Sequence, residues 1–340
     1  MPKLFLTPPF LLKMLAIVAS IFFVGSGFVM SQSRTPTQEL ADANKLLTDH
    51  PQQALTILKR LLQTNQKDAE VWYAAGVAYI GLRDFKKAQT AFEHATTIDP
   101  QFGEAHAALA CAYLRRGKLR EGMTAAKAAL SIQPNSADAH YTIGVILFRL
   151  GERSEALTHA ELAIKSKPTF AEPYLLKSQS LVASYANAIK QNELESKQSR
   201  QNRDEQAFEA LETYLKLTPA SVNRDFWKAQ LQTLRFYTDP SLRNDVYTGK
   251  EVTTKVRLVA KPEPTYTEAA RGGAVEGTVI LRAVFASDGQ VKYILVIQAL
   301  PEGLTERSVN AARRIRFVPA TRDGKPVSMW MQLEYNFNLH

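Results

Sequence analysis

Pro100, Pro134 and Pro168 stand 34 residues apart, and no other feature of this 340-residue chain restricts its fold so tightly. Proline has no N–H to give a helical ladder and clashes with the preceding turn, so each one marks the end of a helix. A period of this length holds two short helices and two turns, and a run of such periods predicts a stack of helix pairs.

The residues between the prolines recur in kind as well as in spacing. Windows starting at Ala69, Gly103 and Ala137 carry, in turn, Trp72, Gly76, Tyr79, Ala88, Phe92 and Ala95; Leu109, Ala110, Tyr113, Gly122, Ala126 and Ala129; and Ile143, Gly144, Leu147, Ala156, Ala160 and Ala163. Small residues such as Gly76, Ala110 and Gly144 let antiparallel helices cross closely, while Phe92 and the aliphatic positions fill the space between layers. This pattern resembles the tetratricopeptide repeat (TPR) family. Repeats are expected over 69–102, 103–136 and 137–170, opened by a degenerate helix pair over 35–68 with Ala54, Leu58 and Leu61. A further repeat over 171–220 has Tyr174 and Leu181 in its first helix and Ala207, Leu211 and Pro219 in its second. Pro219 follows Pro168 by 51 residues, 17 more than one period, and the surplus is polar and lies near 184–205. It is either a pair of solvated helix extensions or a disordered loop. Val222, Phe226, Trp227, Leu231 and Leu234 then recur at helical spacing, predicting a capping helix over 221–237. Stacks of this kind form a concave groove suited to a peptide or helix. His106 and His140 share the position of Trp72, and both read as packing residues rather than metal ligands.

Beyond a turn-rich linker over 238–249 the period changes to two. Val279, Leu281, Ala283 and Phe285 alternate along one strand, a turn follows at Ser287–Gln290, and Val291, Tyr293, Leu295 and Ile297 line the returning strand. Leu304 to Arg314 reads as a helix. From Met329 the chain alternates again, with Met331, Leu333, Tyr335 and Phe337 on the apolar side and Trp330, Gln332, Glu334 and Asn336 on the other. The expected fold is multidomain: an α-helical TPR solenoid, then a small α+β domain over 250–340 in which one face of an antiparallel sheet is covered by a helix.

That last domain carries Pro262-Glu-Pro-Thr-Tyr266, Ala269-Ala-Arg271, Val275-Glu-Gly-Thr-Val-Ile-Leu281, Asp288-Gly289, Ala311-Ala312, Arg316-Phe-Val-Pro-Ala320 and Asp323-Gly-Lys-Pro-Val327. In this order the motifs resemble the C-terminal domain of TonB-family energy transducers. Thr267 stands where the family usually has proline, and Leu304-Thr305 where a Leu-Asp pair is common. The resemblance implies that an outer-membrane TonB-dependent receptor, or another envelope protein, supplies a peptide that adds as a strand to the sheet. It also implies that the edge strand receiving it is Met329, Trp330, Met331, Gln332, Leu333, Glu334, Tyr335 and Asn336. Of Gln332 and Glu334, one is expected to point its N–H outward. Transducers of the family contact an inner-membrane proton-driven motor through a Ser-x-x-x-His pattern and reach outward on a Pro-rich spacer. Here Ser20 is followed four residues later by Val24, and repeats stand where the spacer would be.

Residues 14–30 are uncharged and apolar, with Lys3 and Lys13 before them. This pattern makes 1–31 a signal peptide or an N-terminal membrane anchor, and places the remainder in the periplasm, secreted or held at the inner membrane. The formal charge of +9 arrives without an RNA-binding aromatic motif, a zinc-finger spacing or a basic helix, so no nucleic-acid partner is expected. The single cysteine, Cys111, cannot form an intrachain disulfide. No phosphate-binding loop, Gly-x-Ser-x-Gly, His-Glu-x-x-His or Cys-x-x-Cys occurs, and the chain reads as a binding protein without cofactor or metal rather than an enzyme. Two functions compete. One is a TonB-family envelope protein in energy-coupled transmembrane transport with TPR repeats as a protein–protein scaffold. The other is a periplasmic TPR adaptor whose TonB-like domain binds proteins without transducing energy.

Overall fold

The computed structural model describes residues 35–190, 197–220, 223–273 and 275–339, and the apolar leader lies outside them. Antiparallel helix pairs follow one another: α1 (Pro36–Leu46) with α2 (Pro51–Thr64), α3 (Ala69–Gly81) with α4 (Phe85–Ile98), α5 (Gly103–Arg115) with α6 (Leu119–Ile132), α7 (Ala137–Leu150) with α8 (Arg153–Ser166), and α9 (Glu172–Lys190) with α10 (Lys197–Leu217). The close crossings fall where small residues stand. A Cβ on Gly76 would sit 2.4 Å from the Phe92 ring, and one on Gly144 would sit 2.8 Å from Leu176 of the next pair. The surplus residues of the last repeat lengthen α9 and α10 to 19 and 21 residues, and 191–196 between them lie outside the described residues.

A second periodicity ties each pair from α3–α4 onward to the turn before it. The fourth residue of each of these repeats sends a side-chain group to the carbonyl six residues back: Trp72 Nε1 to Gln66 O at 2.9 Å, His106 Nε2 to Pro100 O at 3.0 Å, His140 Nε2 to Pro134 O at 3.0 Å and Tyr174 Oη to Pro168 O at 3.1 Å. Tryptophan, histidine and tyrosine are interchangeable here because each pairs an apolar ring with one N–H or O–H donor. His106 and His140 thus do the work of Trp72, and no group of three or more His, Cys, Asp or Glu that could hold a metal occurs among the described residues.

The second module contains β1 (Val246–Tyr247), β2 (Arg257–Ala260), α12 (Glu268–Gly272), β3 (Gly277–Phe285), β4 (Val291–Gln298), α13 (Leu304–Arg313), β5 (Arg316–Val318), β6 (Ala320–Arg322) and β7 (Lys325–Phe337). Its main sheet runs β1-β7-β3-β4, with β6 also on β7, and β2 pairs β5 in a separate ribbon. Three expectations need correction. The stretch 238–249 is not only a linker, because Val246 and Tyr247 pair in parallel with Ser328 and Met329, so the sheet is not purely antiparallel. Two residues carry no readable alternation. Next, Val291, Tyr293, Leu295 and Ile297 do not share a face. Tyr293 has φ 47° in a bulge, where Val284↔Lys292 gives way to Arg282↔Leu295, and the extra residue reverses the phase. Val291, Ile294 and Val296 consequently join the core under α13, whereas Leu295 and Ile297 face the repeats.

Finally, the sheet is covered on both faces. Leu304, Val309, Ala311 and Ala312 of α13 pack on Val279, Leu281, Phe285, Leu333 and Tyr335. On the reverse face Ile280, Val284, Leu295 and Ile297 merge into one core with Leu181, Leu211 and Tyr214 of the last repeat and with Leu234, Phe236 and Tyr237 of α11 (Arg224–Thr238). The helix read as a cap therefore lies between repeats and sheet.

His140 and His159 meet at 3.1 Å, Nδ1 to Nδ1. Because His140 Nε2–H is used by Pro134 O, its Nδ1 is the acceptor and His159 Nδ1–H the donor. Burial, and then the neighbouring His140, hold His159 below its ordinary value of 6.5. The folded state thus favours neutral His159, so this stabilisation is complete above about pH 6.5 and is lost as pH falls below it. Thermal melts followed by circular dichroism should show a midpoint that falls as pH drops below about 6.5. His159→Gln should flatten that slope, and an unchanged slope would exclude the pair as its source.

Candidate peptide-binding edge

β7 has two kinds of surroundings along its length. On one side it pairs with β3 without a break, from Phe285↔Met329 to Gly277↔Phe337. On the other, β6 takes 325–327 and β1 takes 328–329, and from Trp330 to Phe337 no strand follows among the described residues. Met329, expected in the edge, is therefore enclosed by Tyr247 and Phe285, whereas Trp330 to Asn336 present one open side.

The direction of the open groups follows from one contact. Lys261 Nζ donates to Glu334 O at 2.8 Å, and its side chain is 31% exposed, so it reaches that carbonyl from solvent rather than from under β3. The N–H and C=O of one strand residue point the same way, and those of its neighbour the opposite way. Trp330, Gln332, Glu334 and Asn336 hence face outward together. The expectation that only one of Gln332 and Glu334 does so is corrected by this two-residue period.

Side chains divide by the same parity. Met331, Leu333 and Tyr335 face α13, and Gln332, Glu334 and Asn336 are exposed on the reverse face. Gln332 Nε2 donates to Glu334 Oε1 at 2.8 Å. Burial pushes the Tyr335 hydroxyl up to about 12, with Glu263 adding to it. Trp330 belongs to the contact with the repeats, its ring centroid 5.0 Å from Tyr237, 5.8 Å from Phe236 and 4.8 Å from the Arg282 guanidinium. Its backbone is at the edge, but its indole is already engaged.

The opposite edge of the sheet is closed. Gln230 of α11, 3% exposed, donates Nε2–H to Ile294 O and accepts Val296 N–H at Oε1, both at 3.0 Å. A side-chain amide here takes the place of a neighbouring peptide on β4. Tyr237 Oη adds a bond to Tyr293 O at 3.2 Å, and Phe236 stacks on the Tyr293 ring at 3.6 Å, holding the bulge. None of Gln230, Phe236, Tyr237 and Lys261 stands out in the sequence, since each is defined by a partner at least 56 positions away.

The groove of the repeats is also partly filled. The β4–α13 loop enters its C-terminal end, leaving a cavity of about 280 Å³ among Tyr141, Phe148, Arg149, Trp227, Leu300 and Pro301. Thr305 Oγ1 fixes the loop by donating to Leu300 O at 2.7 Å and accepting Leu300 N–H at 2.8 Å. Burial raises the Cys111 thiol and disfavours the reactive thiolate. The packing positions Gly76, Ala88, Phe92, Ala110, Gly144 and Ala156 are buried between helices, with Trp72, Tyr79 and Tyr113 half-buried at their borders.

Comparison with known proteins fits these two parts. Residues 262–339 match the family described as Gram-negative bacterial TonB protein C-terminal, and 45–112 and 107–169 match tetratricopeptide repeat families. The chain thus joins TPR repeats to a TonB-type C-terminal domain, both protein-interaction modules. No curated protein matches the sequence. Among solved structures, an IFIT1 monomeric mutant is 14% identical with TM-score 0.52, over 67% of this chain and 52% of that one, a likeness of fold. A thermophilic TPR protein of Thermus thermophilus is 17% identical over 59% of this chain and 100% of that one, with TM-score 0.46. YrrB, a TPR protein with an unusual peptide-binding site, is 19% identical over 57% and 92%, with TM-score 0.39.

Closing β4 with Gln230 carries a stability consequence. Gln230→Leu conserves volume but strands a buried carbonyl and a buried N–H. It should lower unfolding stability by about 2–4 kcal/mol. Urea titration should show an earlier midpoint with an unchanged slope.

Proposed function

From this union of TPR repeats with a TonB-type domain, we propose that the open side of β7 receives an extended peptide of an outer-membrane receptor by strand addition, within energy-coupled transport. The repeats serve as a protein-binding scaffold. The observation that carries the reading is the asymmetry of the sheet: β4 is closed by Gln230, while no strand among the described residues pairs with the other side of Trp330 to Phe337. An added strand gains affinity from main-chain bonds and specificity from alternate side chains. Proline at Gln332 or Glu334 removes one outward donor and spares the ladder to β3. Each folded proline variant should bind a receptor-derived TonB-box peptide about tenfold more weakly, the effect of one lost hydrogen bond. Alanine at either position should change little. Proline variants that retain native circular dichroism and full affinity would remove β7 from consideration.

The reading also requires an extracytoplasmic chain, for which the support is the apolar run 14–30 behind Lys3 and Lys13. Alkaline phosphatase fused after Arg34 should be active. A silent fusion, with a cytoplasmic reporter active at the same site, would overturn the placement.

An adaptor without energy transduction is the second reading, favoured by one observation. The sheet shares a core with α9–α11 instead of standing at the end of an extended spacer. Crosslinking in cells separates the two: receptors together with an inner-membrane motor support the transducer, and soluble envelope proteins alone support the adaptor.

A further inference from the structure

An edge without a strand neighbour is a template for any extended chain, including a second copy of the same protein. β7 exposes such an edge from Trp330 to Phe337, and its middle is occupied by one side chain. Lys261 Nζ donates to Glu334 O at 2.8 Å, lies 3.5 Å from Glu263 Oε1 and sits 4.4 Å from the centre of the Tyr335 ring. The ammonium is thus held by a carbonyl, a carboxylate and an aromatic face at once. Its backbone is placed as firmly. Lys261 directly follows β2, whose Ala260 pairs with Arg316 of β5, and the same segment is pinned by the Thr254↔Thr321 bridge. Pro262 behind it has a fixed φ, so the strap leaves the ribbon in one direction.

Glu334 belongs to the outward set with Trp330, Gln332 and Asn336, and its carbonyl is one that an incoming strand must use. Lysine and peptide therefore compete for the same lone pair. We propose that Lys261 is a latch on the β7 edge, which an added strand must displace and which keeps the vacant edge from pairing with another copy of the chain. The peptide-binding half of this proposal rests on the strand-addition reading above; the protection of the vacant edge does not. It also sets an order of events. A strand can pair first beside Trp330 and Gln332, and it advances past Glu334 only once the ammonium has swung away.

The test compares the full chain with Lys261→Met, which keeps an unbranched side chain of similar length but removes the charge and the donors, and with Lys261→Arg, which restores them. Binding of a synthetic TonB-box peptide is measured by fluorescence anisotropy, and self-association by sedimentation velocity over a range of protein concentrations. A charged hydrogen bond at a partly exposed site predicts a gain in affinity of about tenfold for Lys261→Met. The same variant should form concentration-dependent dimers, and Lys261→Arg should behave as the parent. If no protein binds the peptide but Lys261→Met still dimerises, the latch stands and the receptor reading falls. If the parent binds and Lys261→Met binds no tighter and stays monomeric, the latch is overturned and the receptor reading stands. Weaker peptide binding by Lys261→Met would make the lysine a contact for the partner and would equally overturn the latch.

Discussion

A helical repeat cannot stop without covering the apolar face it would have shown to its successor, and the rest of this molecule is arranged around that need. Each pair from α1–α2 onward buries part of the next, and after α9–α10 the surface of Leu181, Leu211 and Tyr214 has no further repeat to meet. It meets α11 and the sheet instead. Leu234, Phe236 and Tyr237 fill the space between, and Ile280, Val284, Leu295 and Ile297 complete the core from the other module. Because that contact consumes one face of the sheet and α13 the other, the remaining freedom lies at the edges. α11 then removes one of them through Gln230. Among the described residues, the far side of β7 from Trp330 to Phe337 has no strand beside it.

Much of this is legible in sequence, and the parts that are not share a cause. The repeats are readable because their determinants lie within one period: a proline, a small residue at a crossing, a ring with a donor. Gln66 supplies the carbonyl where later repeats have proline, so the missing fourth landmark is explained by a backbone contact that needs no particular side chain. The β3–β4 hairpin is readable because alternation and the Asp288-Gly289 turn are local. Alternation fails at Tyr293, where a residue with positive φ shifts the phase and is held in that shape by Phe236 and Tyr237. A non-glycine residue in that region announces itself only through what surrounds it. Parity assigns Trp330 to the peptide edge, which is right for its backbone. Its indole is claimed by helix residues about a hundred positions earlier, and no local pattern encodes such a meeting.

Gln230 and Lys261 show how different side chains solve one problem. Both satisfy strand groups that lack a neighbouring strand. Gln230 is buried and makes one donor and one acceptor bond, matching a peptide unit, and it is enclosed by the core. Lys261 is a third exposed and covers a single carbonyl with a flexible, well-hydrated charge. The first is a permanent closure and the second is reversible by construction, which distinguishes the two edges of one small sheet by chemistry rather than by length.

The joint core also determines how a mechanical load would travel. A partner drawn along β7 pulls parallel to the strand, so the nine pairs to β3 are sheared together instead of being opened one at a time. From β3 the tension passes to β4 and crosses to α11 through Gln230, the Phe236–Tyr293 stack and the surrounding apolar side chains. A load applied along β7 would therefore reach the end of the repeat stack through this shared core.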